Sequence, residues 1–183
     1  MLDKSRAILL RRFPLTETSL IVHWFSDQFG ILKTVAKGAR RPKSPFAGKL
    51  DLYFDCEIEF VRARSGNLHI LKELALLNPR LAMRSSWLQT AAAAYFVRLL
   101  EQVTELEAPA PELADLLRRA LDYLTDNTPD RRAILHFERE VARHLGVLEQ
   151  KKHLEGRRGP IDRIADVAGR IPAMRGELLD RLA

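Results

Sequence analysis

The chain has 183 residues, 46% of them apolar and 30% charged, with a formal net charge of +6 and a pI near 9.8. That length allows one or two domains with a core that needs no covalent staple. The single cysteine, Cys56, excludes an internal disulfide and a four-cysteine zinc site.

Residues 1–78 read as β structure. RAILLRRF (6–13) is rich in strand formers and ends at Pro14; TSLIVHWFS (18–26) follows, then a turn at 27–30, then GILKTVAKG (30–38). LYFDCEIEFVR (52–62) alternates most clearly: Phe54, Cys56, Ile58 and Phe60 face one way, and Tyr53, Asp55, Glu57 and Glu59 the other. A turn at Ser65, Gly66 and Asn67 leads into LHILKELALL (68–77), the fifth strand. Five short strands separated by turn signals suit a small barrel.

At Asn78-Pro79 the period changes to that of helices. Apolar residues at Leu88, Ala92, Tyr95, Leu99, Val103 and Leu106 predict a first helix within 84–106. PELADLLRRALDYL (111–124) predicts a second, and a third begins after Thr128-Pro129-Asp130, with the proline expected at its first position, and stops at Gly146. Residues 151–160 read as a polar loop, and 161–183 as one or two short helices split at 169–172. Strands first and helices second give an α+β protein: a β-barrel domain over 1–78 and an α-helical domain over 79–183.

Charge is distributed unevenly between these parts. Residues 1–78 hold 13 Lys+Arg against 8 Asp+Glu, whereas 79–183 hold 17 against 16. Much of the excess lies in KGARRPKSPFAGKL (37–50), where Lys37, Arg40, Arg41, Lys43 and Lys49 meet no acid. Such a loop beside a barrel can follow a phosphate backbone, each cation displacing a condensed counterion. Gly38 and Gly48 permit close approach, Pro42 and Pro45 stiffen the loop, and Phe46 is positioned to stack on a base. A solvated surface loop is the alternative. Arg11 and Arg12, adjacent on strand one, and Lys33, which shares a face with Lys37, could extend the field or simply discourage edge pairing. Trp24 and Phe25 face opposite sides of their strand, one toward the core. Asp55, Glu57 and Glu59 mark a face that nucleic acid should avoid.

In the helical half, Arg118, Arg119, Arg131 and Arg132 cluster near the ends of two consecutive helices. They suit either local ion pairs or the grip of an acidic peptide. His136, Glu140 and His144 fall on one helix side but lack a fourth metal ligand, so surface or packing roles are expected. Phosphate-loop, nucleophile-elbow and dinucleotide motifs are missing, and Cys56 falls on an apolar strand face. The residues thus offer nothing for catalysis, so an enzyme is the least favoured reading, and no metal or cofactor is expected. No apolar run approaches the roughly 20 residues of a membrane span, and the first residues lack the features of a signal peptide. A cytoplasmic location is expected.

Three segments, AILLRRFPLTETSLIVHWFSDQFG (7–30), ILKTVAKGARRPKS (31–44) and FAGKLDLYFDCEIEF (46–60), resemble the N-terminal domain of the RecO family of bacterial recombination-repair proteins. HFEREVARHLGV (136–147) resembles that family's helical part. The resemblance implies an OB-fold followed by a helical domain, and a recombination mediator that binds and anneals single- and double-stranded DNA. It further implies that the protein works with RecR and helps load recombinase onto DNA coated by single-strand-binding protein, whose acidic tail it contacts. On it, Lys37, Arg40, Arg41, Lys43 and Lys49 match the basic loop of the OB-fold. Many members carry a four-cysteine zinc site after the segment matching HLGV; here LEQKKHLEGRRGP (148–160) has no cysteine, and the final helical part reads as short for the family. Two other readings of the residues stay open: an OB-fold RNA-binding or chaperone factor, and an adaptor for an acidic protein partner.

Overall fold

The structure is a computed structural model that describes residues 2–148 and 159–182. Five strands come first: β1 (Leu2–Pro14), β2 (Leu20–Ser26), β3 (Gly30–Ala36), β4 (Asp55–Val61) and β5 (Leu68–Asn78). They close into a barrel in the order β1-β2-β3-β5-β4, with β4 returning to β1. All pairs are antiparallel except β3 with β5. This is the OB-fold expected from the sequence.

Alternation fills the barrel. Leu9 of β1, Val22 and Trp24 of β2, Leu32 of β3, Cys56, Ile58 and Phe60 of β4, and Leu71 of β5 form one buried cluster. Trp24 donates from Nε1 to Thr34 Oγ1 at 2.9 Å, so its one polar group is satisfied inside the core. Phe25 lies on the outer face in a row with its pairing partners Ile8 and Ile31, and it too is buried. Burial, reinforced by the neighbouring Asp55 carboxylate, pushes the Cys56 thiol up to about 12.

Two details depart from simple alternation. A bulge in β1 between Leu9 and Arg11 resets its phase against β2. Leu9 faces Trp24, Arg11 then pairs with His23, and Arg12 pairs with the core residue Val22. The acidic outer face expected on β4 holds only in part. Glu57 and Glu59 are partly exposed beside Lys4 at 2.7 and 3.5 Å, but Asp55 is fully buried. Arg6 binds its carboxylate through two nitrogens, at 3.1 and 2.6 Å. Arg80 adds a contact at 3.4 Å while donating to the Tyr53 carbonyl at 2.8 Å. A buried carboxylate needs such partners, and they lie 49 and 25 residues away in sequence.

The helices are α1 (Trp87–Val103), α2 (Pro111–Asp126), α3 (Arg131–His144), α4 (Pro160–Ala168) and α5 (Arg175–Arg181), with a 3₁₀ turn at Leu81–Ser85. Ser86 caps α1 and Asp130 caps α3, the latter accepting from the Ala133 N–H at 2.8 Å. Pro129 therefore precedes the cap instead of opening the helix. Glu138 of α3 is buried, accepting from Tyr95 Oη at 2.6 Å and from two Arg175 nitrogens at 2.6 and 3.0 Å. This carboxylate raises the Arg175 guanidinium above its ordinary value; burial, then Glu138, pushes the Tyr95 phenol upward. The polar loop expected over 151–160 lies outside the described residues as far as 158.

The chain divides into two compact units: Met1–Arg80 with Glu105–Ala114, and Leu81–Thr104 with Asp115–Ala183. Leu106, which spacing placed in the first helix, instead bridges to Ile31 of β3, and the Glu107 N–H donates to the Ile31 carbonyl at 2.8 Å. Gly30 makes this possible. Its φ is +65°, and a Cβ there would fall 1.9 Å from the Ala108 carbonyl oxygen, so only glycine fits without displacing that backbone.

Candidate nucleic-acid interface

The basic segment connects β3 to β4 across one end of the barrel as a run of tight turns. The N–H groups of Arg41, Ser44, Ala47 and Lys49 each donate to the carbonyl three residues earlier, at 3.0–3.1 Å. Gly38 and Gly48 adopt φ of +67° and +71°, which explains their identity conformationally. The loop is also tied to the β1–β2 connection: Arg40 N–H donates to the Thr18 carbonyl at 2.9 Å, and Arg40 Nη1 to the Thr16 carbonyl at 3.2 Å.

Phe46 is the anchor. It is only 6% exposed and packs in the barrel core with Leu50, so it is not available to stack on a base as the sequence suggested. Burying it holds the loop in one shape and leaves the cations outward. Lys37, Arg40, Arg41 and Lys43 are exposed and Lys49 is half-buried. Among the described residues, no carboxylate is ion-paired with Lys37, Arg40, Arg41, Lys43 or Lys49. These five positive charges stand on a loop whose ordering cost is already met in folding.

The other candidates divide. Arg12 donates to the Leu50 carbonyl at 2.8 Å and lies 3.2 Å from Asp51, gripping the far end of the loop. A cavity of about 260 Å³ opens between them, with Arg12, Arg40, Phe46 and Asp51 in its wall. Arg11 and Lys33 sit together elsewhere, on the outer face: Arg11 pairs with His23 and His23 with Lys33. Phe13, one position further along that face, meets the His23 ring edge-on at 5.3 Å. The sequence did not single out this aromatic pair, because the bulge that brings it onto one face leaves no signal in the pattern.

In the helical unit, a groove of about 430 Å³ lies between α1, α2 and α3. Its floor is apolar, including Phe96 and Phe137 stacked at 4.0 Å, and Arg119, Arg132 and His136 stand in its walls. Two of the four candidate arginines are thus brought together. Arg119 also pairs with Asp115 at 2.8 Å, Arg118 is buried, and Arg131 is exposed outside the groove. Of the histidine–carboxylate set, His136 belongs to the groove and Glu140 pairs with Arg143 at 2.6 Å.

The comparison with known proteins agrees with this architecture. Residues 1–80 match the family model described as Recombination protein O N terminal, and residues 84–148 that of Recombination protein O C terminal. The chain belongs to the RecO family. Its relatives include a protein named DNA repair protein RecO from Idiomarina loihiensis, 35% identical over 77% of this chain and 59% of that protein. Another of that name, from Rhodopirellula baltica, is 31% identical over 76% of this chain and 52% of the relative. One from Bacillus cytotoxicus is 27% identical over 80% and 58%. The chain thus spans between about half and three fifths of the length of these relatives. No described helix is long and apolar enough to cross a membrane.

Proposed function

We propose that this RecO-family chain acts in DNA repair as a binding protein, holding DNA on the basic loop of its OB-fold and promoting strand annealing. The observation that carries this reading is the loop itself: five cations without ion-pair partners among the described residues, held outward by the buried Phe46. Contacts of this kind recognise phosphates and not sequence. Both single and double strands fit them. Annealing follows when one cationic surface neutralises two strands at once and leaves base pairing to choose between them. The names of its relatives support the DNA repair setting.

The helical unit supplies the second half of the proposal. Its groove offers an apolar floor to a hydrophobic side chain and two arginines to neighbouring carboxylates. An acidic peptide, such as the tail of single-strand-binding protein, would supply the carboxylates. With RecR as a further partner, the chain would serve as a recombination mediator in the cytoplasm, helping to load recombinase onto protein-coated single strands.

Annealing of two complementary labelled oligonucleotides, followed by fluorescence quenching, tests the reading. The wild type should accelerate annealing at low salt, and a variant carrying Arg40→Ala, Arg41→Ala and Lys43→Ala should lose most of that acceleration. Equal acceleration by both proteins would remove the loop from the function.

A further inference from the structure

We infer that the outer face of β1–β2–β3 is a base-stacking platform centred on Phe13 and His23, and that it makes the protein favour single-stranded over duplex nucleic acid. This rests on the nucleic-acid reading above and adds the strand type, which phosphate contacts alone leave open.

Strand register lays out the face. One row runs Arg11–His23–Lys33 and the next Phe13–Ile21–Val35. Neither row contains an acid, in contrast to the outer face of β4 with Glu57 and Glu59. Phe13 is 43% exposed, although the run Ala7–Leu10 earlier on the same strand is buried. The edge-on contact with His23 at 5.3 Å and 62° fixes its ring while leaving ring surface open. Two aromatic rings beside Arg11 and Lys33 make the combination that holds unpaired bases, since every base has a π-face and every nucleotide a phosphate.

The basic loop joins this face. Both Arg40 contacts reach the turn that directly follows Phe13 and Pro14, at the Thr16 and Thr18 carbonyls. A strand following the loop cations is thereby delivered to the end of the hairpin where Phe13 stands. In a duplex the bases are stacked on one another, so only phosphates reach this surface. Phe13 therefore adds affinity for a single strand and nothing for a duplex.

The test compares three ligands of equal length: an ordinary single strand, the same backbone with every base removed, and a duplex. Fluorescence anisotropy is read for wild type, Phe13→Ala and Phe13→Trp. A stacked base is worth about 5- to 150-fold in affinity. Phe13→Ala should weaken single-strand binding at least about fivefold, leave the base-free strand and the duplex within about twofold, and keep the salt slope. Phe13→Trp should restore wild-type binding, which a merely structural role of the ring would not allow. Equal losses on all three ligands, or no loss on any, would overturn the platform. The two readings fail differently: a wild type that binds none of the ligands ends the nucleic-acid reading, whereas one that binds all three alike ends only the platform.

Discussion

Arg12 and Asp51 meet at 3.2 Å where the basic loop returns to the barrel. Arg12 comes from β1 on the same side as the core residue Val22, and it also holds the Leu50 carbonyl. One strand residue thus clamps the loop, and Asp51 offsets part of the charge it would otherwise offer to a polyanion. Asp51→Asn keeps an oxygen for the Leu52 N–H, which Asp51 now accepts at 2.9 Å, and removes the negative charge. The variant should bind a single-stranded oligonucleotide about two- to threefold more tightly at low salt, the gain vanishing at high salt. Unchanged affinity at low salt would place the bound phosphates away from Arg12.

Phe46 links stability to binding. Its removal leaves a hole in the barrel, so Phe46→Ala should cost about 3–5 kcal/mol in urea unfolding. The same change frees the loop, so DNA affinity should fall under conditions where the barrel stays folded, although no charge has been lost. Folded variant protein with undiminished DNA binding would show that the fixed loop shape is irrelevant.

The helical groove makes a separate prediction. A short peptide with several carboxylates and a terminal phenylalanine should bind by calorimetry, and Arg132→Glu should weaken it by about tenfold or more. Added salt should weaken the wild-type interaction too. Binding that ignores both salt and Arg132 would exclude the groove as an acidic-peptide site.

Alkaline pH should destabilise the protein. Cys56 and Tyr95 both have folded pKa values raised above their ordinary values of 9.0 and 10.0, each chiefly by burial. The unfolded chain loses these protons first, so the stabilisation is complete below about pH 9 and is lost as pH rises toward 12 for Cys56 and beyond for Tyr95. Each group contributes a slope of up to about 1.4 kcal/mol per pH unit within its window. Urea titrations followed by tryptophan fluorescence at pH 8 and pH 10 measure it, with Trp24 inside the barrel as the reporter. Cys56→Ala should be less stable at pH 8 but show a shallower decline between the two. Equal declines would remove Cys56 from the effect.

The parts legible in the sequence were those written in local period and local charge. Alternation over 52–62 identified Phe54, Cys56, Ile58 and Phe60 as one face, which is the core face, and the five cations of 37–50 marked the loop. The rest depended on contacts between distant residues. Asp55 looked like Glu57 and Glu59 until Arg6 and Arg80 closed over it. Phe46 looked like an exposed aromatic in a polar loop because nothing local shows that the loop folds back over the open end of the barrel. Leu106 continued the helical spacing of α1, yet Gly30 gives its segment a berth beside β3 that no periodicity records. The groove needed three helices to exist at all, and it gathers only Arg119 and Arg132 from four arginines that sequence alone could not rank.

The central claim is that the loop cations neutralise DNA phosphates, and a salt series of fluorescence anisotropy on a labelled single strand measures that directly. For about four neutralised phosphates, log affinity should fall against log salt with a slope near −3, and the Arg40→Ala, Arg41→Ala, Lys43→Ala variant should bind more weakly with a slope shallower by about 2. A variant with wild-type affinity and slope would contradict the claim and move the DNA site off the loop.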